Sequence, residues 1–289
     1  SLFSSVLVQR AECPFVFILG DLEEAGYFYH DLTQILGTGQ VLFFPSSFRR
    51  AIKYGQKDAA NEILRTEVLS RLQKGEEGFC VVTYPDALAE KVVSRKELGD
   101  KTLKLHAGEK VDMDFVTEVL RSYGFEYVDY VYEPGQYAVR GSIIDVFSFS
   151  SEFPFRIDFF GDEVESIRTF EVESQLSKEK KEEIVIVPDL SRSLEQGGNG
   201  GMVSFLDFLR PDTLLAMRDF LWLRERIQVV HDESLTAQAI AACEAEENGA
   251  ISLEGKLIDG GEFTLRALDF RRMEFGTKPT GTPDATVAF

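Results

Sequence analysis

The residues best suited to chemistry in this sequence are charged and aromatic side chains on the short segment "FRIDFF", residues 155–160. Apolar and polar positions alternate along it, which predicts a strand with one apolar face. Phe160 breaks this alternation, because it falls on the polar face with Arg156 and Asp158. An exposed aromatic residue beside arginine has the composition of a protein-interface hot spot. Alternatively, a neighbouring segment of the same domain covers the Phe160 side chain, and the sequence does not favour either interpretation.

Patterns for nucleotide, metal or nucleophilic chemistry do not emerge from the sequence. A phosphate loop needs GxxxxGK[ST], whereas Gly255-Lys256 is followed by Leu257 and has no glycine at the required earlier position. Asp162 and Glu163 could form a catalytic carboxylate pair, but a polar hairpin end explains them better. The histidines have no companions at ligand spacing; they are His30, His106 and His231. The sequence therefore favours binding over catalysis.

A second candidate site is the segment "SSFRRAIKYGQK", residues 46–57, which interleaves basic and aromatic side chains. This composition is typical of nucleic-acid binding. The candidate DNA-binding residues are Arg49, Arg50, Lys53 and Lys57, with Phe48 and Tyr54 between them. The whole chain, however, carries a formal net charge of −18, which opposes phosphate backbones. A solvated loop followed by a helix start is the simpler interpretation.

The composition of the 289 residues, 44% hydrophobic and 28% charged, is that of a globular protein with two or three domains. The cysteines Cys13, Cys80 and Cys243 are widely spaced and form no CxxC motif, which favours a reducing, cytoplasmic location. No apolar run is long enough to span a membrane. Because the chain begins at Ser1 without an initiator methionine, we expect a fragment of a longer protein.

The first hundred residues alternate strand and helix patterns. "FVFILG", "QVLFFP" and "GFCVVTYP" are short apolar runs typical of buried strands, and "DALAEKVV" is expected to begin a helix. Asp21 and Glu24 have the spacing of a helix capping box, and Gly37 is a typical helix end. Strands that alternate with helices predict a parallel sheet covered on both faces.

From about residue 103 the pattern changes to one helix, "MDFVTEVLRSYGF", and a run of strands, three of them expected at 137–170. We predict a small inserted α+β domain with an antiparallel sheet. Later, "TLLAM" and "EFTLRALDF" indicate strands, residues 220–247 a long helix, and "GTKPTGTPDAT" a linker. The predicted domains are 1–102, 103–187 and 188–289.

The segment "EPGQYAVRGSIIDVFSFSSEFPFRIDFFGDEVESIRTF" resembles the amino-terminal module of bacterial transcription-repair coupling factors (the Mfd family), which is itself similar to UvrB. The resemblance extends more weakly to "YGFEYVDYVYEPG" and "VVTYPDALAEKV". It implies an α/β fold in which domains 1a and 1b form a degenerate RecA/helicase-like parallel-sheet unit. Domain 2, inserted between them, would bind UvrA.

The resemblance also implies the roles of individual residues. Arg140 and Arg156 would donate charge-assisted hydrogen bonds to carboxylates of UvrA, and Phe160 would fill an apolar pocket. In the longer protein another domain would mask this face until it is needed. The expected function is thus a non-catalytic adaptor that recruits UvrA to lesion-stalled RNA polymerase. The alternative is a DNA-binding accessory module that acts through residues 47–57.

The departures from UvrB limit what the resemblance implies. UvrB has a phosphate loop and a DNA-clamping β-hairpin, whereas here only about ten residues separate "VLFFP" from the next helix. Neither ATP hydrolysis nor the DNA clamp is therefore expected of this chain, and no cofactor is expected. In coupling factors, ATP with Mg²⁺, RNA polymerase and DNA would engage regions beyond those present here.

Overall fold

The computed structural model describes residues 2–10, 13–47, 59–190, 201–234 and 255–275. These residues form two compact units. The first unit comprises Ser1–Val92 together with Gly201–Phe289, and the second unit comprises Val93–Gly200. The second unit is thus inserted, in chain order, within the first. The division into three domains at residues 102 and 187 stays a prediction.

The helices and strands alternate in the first unit, and strands dominate the second. The helices are α1 (Leu2–Arg10), α2 (Leu22–Leu36), α3 (Ala59–Lys74), α4 (Pro85–Ala89), α5 (Arg95–Asp100), α6 (Met113–Ser122), α7 (Phe220–Ser234) and α8 (Gly260–Ala267), with a 3₁₀ helix at Phe205–Phe208. The strands are β1 (Phe15–Ile18), β2 (Val41–Phe43), β3 (Cys80–Thr83), β4 (Val92–Val93), β5 (Leu103–His106), β6 (Glu126–Tyr127), β7 (Gln136–Arg140), β8 (Ile143–Val146), β9 (Phe155–Phe160), β10 (Glu163–Phe170), β11 (Ser177–Lys181), β12 (Glu183–Ile186), β13 (Met202–Val203), β14 (Leu214–Met217) and β15 (Arg271–Glu274).

The first unit is built on a parallel sheet with the strand order β15-β14-β1-β3-β2. Every residue of β1 and β3 is buried, as expected for central strands covered on both faces. Val16 pairs with Val81 on one side and Leu215 on the other. The prediction of a parallel-sheet α/β unit from continuous apolar runs is confirmed.

Helix α2 begins and ends at the residues that the sequence indicated. The Asp21 side chain accepts a hydrogen bond from the backbone N–H of Glu24 at 2.9 Å, which satisfies a donor at the helix start. The helix ends at Gly37, whose φ of 99° is readily adopted only by glycine.

The segment "EFTLRALDF" was expected to be a strand, and this prediction is wrong. It contributes most of helix α8, which is capped by Asp259 through a 2.7 Å hydrogen bond from the Glu262 N–H. Phe263 and Ala267 are buried one helical turn apart, so the helical period prevails over the local strand propensity. Strand β15 follows directly after it.

Two other helix predictions are modified. The helix in "DALAEKVV" is α4, which is only five residues long, and the chain returns to strand β4. The long helix begins at Phe220 as expected and is described to Ser234. Its predicted continuation to residue 247 lies outside the described residues, as does the predicted linker at 276–286.

The second unit contains a six-stranded sheet with the order β11-β10-β9-β8-β7-β6. Neighbouring strands are antiparallel except β6 and β7. The segment 137–170 forms four strands rather than the expected three, because the chain turns at Gly141, whose φ is 61°. The antiparallel sheet itself is confirmed.

One face of this sheet, the inner face, packs against helix α6 and the β5–β12 pair. Ile144, Ile157 and Phe159 contribute to this core from the sheet, and Val116 and Leu120 contribute from α6. Every second residue of β9 from Phe155 is buried, as the alternation of its sequence predicted. The polar residues of β9 consequently lie on the opposite, outer face.

Candidate functional site

The strand register of the six-stranded sheet places the candidate residues on one face. Asp145 of β8 lies opposite Arg156 of β9, and Ile143 lies between Arg140 of β7 and Asp158 of β9. Arg140 and Arg156 therefore share the outer face, which the sequence alone did not establish because it depends on register. We call this surface the Arg–Phe face; its residues are Arg140, Ile143, Asp145, Arg156, Asp158, Phe160 and Arg168.

The other part of the outer face is a small apolar core. Ala138, Phe147 and Phe170 form it with Val131, and the partly buried Val172 packs against it. The Arg–Phe face lies next to this small apolar core on the same side of the sheet. Arg156 is therefore held beside the buried ring of Phe170, in surroundings less polar than open solvent.

Asp145 is the centre of the Arg–Phe face and is only 1% exposed. Its Oδ1 accepts from Arg156 Nε at 2.8 Å, and its Oδ2 accepts from Arg156 Nη2 at 2.9 Å and from Arg140 Nη2. A buried carboxylate requires such pairing, because burial without a partner would be very unfavourable. The hydrogen bond to Asp145 raises the pKa of Arg156, and burial of the guanidinium opposes that effect.

Arg156 is held on three sides, and 17% of its side chain is exposed. Beyond Asp145, its Nη1 donates to the backbone carbonyl of Gln175 at 3.1 Å. Its guanidinium carbon lies 4.5 Å from the centre of the Phe170 ring. Its hydrogen bonds within the described part of the chain use three of its five N–H groups.

Arg140 is supported by the same three kinds of group but is more open, with 35% of its side chain exposed. It donates to Asp145 and, at 3.3 Å, to the backbone carbonyl of Asp129. Its guanidinium carbon lies 5.1 Å from the centre of the Tyr130 ring. Arg140 thus presents an oriented cation at the surface.

Phe160 lies at the end of β9 and is 78% exposed. Of the two alternatives that the sequence left open, the described residues favour exposure over cover by the same unit. The backbone N–H of the preceding Phe159 donates to the backbone carbonyl of Ser142 at 2.8 Å, which places Phe160 beside the turn that follows Arg140. On the other side, Arg168 pairs with Asp158, which also accepts from the Ser166 hydroxyl at 3.1 Å.

Sequence reasoning missed Asp145, Arg168, Tyr130 and Gln175 as members or supports of this face. Asp145 carried a usable signal, because aspartate is depleted in strands and here stands within the apolar run "IIDVF". No sequence signal indicated Gln175, because its conformation, with a φ of 58°, is unusual for a residue other than glycine.

The amino terminus of α2 is the place where a nucleotide-binding fold would receive phosphate. Here it is occupied by carboxylates of the chain itself: Glu24 Oε2 accepts from the Gly20 N–H at 2.7 Å, and Asp21 caps the helix. These negative groups disfavour phosphate at this position. Within the described ranges, no group of three or more histidine, cysteine or acidic side chains could hold a metal ion.

The residues of the alternative DNA-binding site, Arg49, Arg50, Lys53 and Lys57, lie outside the described residues, and the hypothesis stays a prediction. Of the helices that the structure describes, none has both the length and the apolar character to cross a membrane.

Comparisons with known proteins bear on the second unit and on the chain as a whole. Residues 103–191 match the family model of the UvrB interaction domain. The chain is 30% identical to the transcription-repair-coupling factor of Escherichia coli K12 over 184 residues, 63% of this chain and 16% of that relative. It is 28% identical to that of Bacillus subtilis 168 over 221 residues, 73% of this chain and 19% of the relative. For Haemophilus influenzae the identity is 31% over 155 residues, 53% of this chain and 13% of the relative.

The chain therefore spans less than a fifth of the length of these relatives. The matched range 103–191 contains the complete Arg–Phe face. These findings confirm the resemblance inferred from the sequence: the chain is similar to the amino-terminal, UvrB-like module of transcription-repair-coupling factors, and residues 103–191 of its second unit are similar to the UvrB interaction domain.

Proposed function

We propose that this chain is a non-catalytic adaptor that binds the repair protein UvrA through the Arg–Phe face. The observation that carries the proposal is the exposed Phe160, which lies on the same sheet face as the oriented cation of Arg140 and within the segment that matches the UvrB interaction domain. Burial of such a ring against a partner gives favourable free energy in proportion to the apolar area removed from water.

The chemistry of the face defines the kind of surface it fits. Phe160 requires an apolar pocket, and Arg140 requires a carboxylate that can accept charge-assisted hydrogen bonds. Arg156 adds a second guanidinium at lower exposure. On this proposal, the contact surface of UvrA combines an apolar pocket with acidic side chains at its rim.

The proposal places the chain within a longer coupling factor. There it would recruit UvrA to RNA polymerase stalled at a lesion, in the bacterial cytoplasm. Polymerase binding and ATP-driven movement on DNA would belong to other parts of that protein. The occupied amino terminus of α2 supports a role without nucleotide for this chain. Masking of the Arg–Phe face by another domain stays a prediction; it requires that the longer protein bind UvrA more weakly than this chain does.

Calorimetric titration with UvrA tests the proposal. We expect the parent chain to bind and Phe160→Ala to weaken binding by about 30-fold or more, the loss typical of a hot-spot aromatic residue. Phe115→Ala is the matched control, because Phe115 is a half-exposed phenylalanine on α6, which packs on the opposite face of the sheet. The control should bind within about two-fold of the parent. Failure of the folded parent to bind UvrA would refute the adaptor function.

A further inference from the structure

We propose that Asp145 is a positioning residue for UvrA binding, which acts by orienting Arg140 and Arg156 without touching the partner. This inference rests on the proposed function. At 1% exposure, the Asp145 carboxylate cannot reach a second protein. Any effect of Asp145 on affinity must therefore pass through the side chains that it holds or through the stability of the fold.

Both guanidinium groups converge on this single carboxylate. Asp145 binds Arg156 through two hydrogen bonds, at 2.8 and 2.9 Å, and the oxygen of the longer bond also accepts from Arg140. Two guanidinium cations that bind the same carboxylate lie close enough to repel each other, and the negative charge of that carboxylate offsets the repulsion. The group of three retains one net positive charge, which suits an acidic partner surface.

Asp158 is a second anion that raises the pKa of Arg156, but its effect is smaller than that of Asp145. The groups that contact the two arginines beyond Asp145 carry no formal charge. Each guanidinium has a backbone carbonyl, from Asp129 or Gln175, and one aromatic ring beside it. These groups fix the plane of each guanidinium but do not offset its charge. Loss of the Asp145 charge would leave the repulsion between the two arginines without this offset and would weaken their ordering, part of which would then have to occur on binding.

An arginine that is ordered before association loses less conformational entropy when the partner binds. On this basis we expect Asp145→Asn to weaken UvrA binding by about ten-fold or more. Asparagine keeps the size of the side chain and one acceptor oxygen but removes the charge. The competing explanation is that Asp145 only stabilises the fold, and a loss of affinity by itself does not separate the two roles.

A double-mutant cycle separates them. Asp145→Asn is introduced into the parent and into an arginine-free Arg140→Gln/Arg156→Gln variant, whose amide groups can still donate to the buried carboxylate, and calorimetry measures UvrA affinity for all four proteins. If Asp145 acts through the arginines, the substitution has an effect in the parent but changes the affinity of the arginine-free variant by less than about two-fold. An equal loss in both backgrounds would overturn the proposal.

A spectroscopic readout accompanies the cycle. In ¹H–¹⁵N spectra of the free chain, the Arg156 Nε–H should exchange slowly with solvent in the parent and rapidly in Asp145→Asn. If Asp145→Asn does not fold, Asp145→Glu replaces it, since glutamate keeps the charge and displaces the carboxylate by one methylene. Parent-like affinity of folded Asp145→Asn, or an Arg156 Nε–H that exchanges as slowly in Asp145→Asn as in the parent, would sink this inference but leave the adaptor function standing. Absence of binding by the parent would sink both.

Discussion

Phe159 and Phe160 are neighbours on β9 with opposite environments: Phe159 is 4% exposed in the inner core, whereas Phe160 is 78% exposed on the Arg–Phe face. We expect Phe159→Ala to lower the free energy of unfolding by about 3–5 kcal/mol, because it removes a buried ring and leaves a cavity. Phe160→Ala should change that free energy by no more than about 0.5 kcal/mol. Urea denaturation followed by circular dichroism measures both. Equal destabilisation by the two substitutions would show that Phe160 is covered.

This pair also shows how far the sequence predicts the molecule. The alternation in "FRIDFF" was sufficient to assign the inner and outer faces of β9, because side chains of a strand alternate. Continuous apolar runs likewise predicted the buried strands β1 and β3. In both cases the signal is local and is repeated over several residues.

The contacts of Asp145 could not be predicted in the same way. Its partners lie on two other strands, so their identity depends on the registers of β7, β8 and β9. The prediction for "EFTLRALDF" failed for a related reason. Its apolar residues fit both periods, and the Asp259 cap and the burial of Phe263 with Ala267 decide for the helix. The resemblance to a family indicated the candidate site residues, whereas the structure gives the reason for their orientation.

Gln175 directs its backbone carbonyl at Arg156 from a left-handed conformation with φ of 58°. Its side-chain amide also donates to the Val172 carbonyl at 2.7 Å and to the Val131 carbonyl at 3.3 Å. Gln175→Ala and Gln175→Gly both lose these amide contacts, but only glycine adopts this φ without strain. We therefore expect the glycine variant to be more stable than the alanine variant by about 1 kcal/mol in urea denaturation. At most positions the alanine variant is the more stable of the two. A more stable alanine variant at position 175 would contradict the strained conformation of Gln175.

Cys80 is buried in β3, and burial raises the pKa of its thiol from 9.0 to about 12. The folded chain therefore holds this proton more tightly than the unfolded chain does. The corresponding stability is complete below pH 9 and is lost as the pH rises towards 12. Cys80→Ala should be less stable at pH 8, yet its stability should fall less steeply between pH 9 and 11 than that of the parent.

Free energies of unfolding at several alkaline pH values measure the difference between the two curves. Tyr84, whose pKa is also raised to about 12 by burial, is present in both proteins, so its contribution cancels. Parallel curves for the parent and Cys80→Ala would show that the thiol does not titrate differently on unfolding.

Glu24 closes the amino terminus of α2 by accepting from the Gly20 N–H at 2.7 Å, while Asp21 accepts from the Glu24 N–H at 2.9 Å. Because this arrangement satisfies donors at the helix start, Glu24→Ala should lower the free energy of unfolding by about 1 kcal/mol. Trp222 is the single tryptophan, and its ring lies near Gly20, since a methyl group added there would come within 3.8 Å of it. Its fluorescence in urea therefore reports unfolding around the start of α2. Glu23→Ala is the control, since it removes the same charge from the same helical turn. An equal loss from Glu23→Ala would assign the effect to charge near the helix dipole and not to the contact with Gly20.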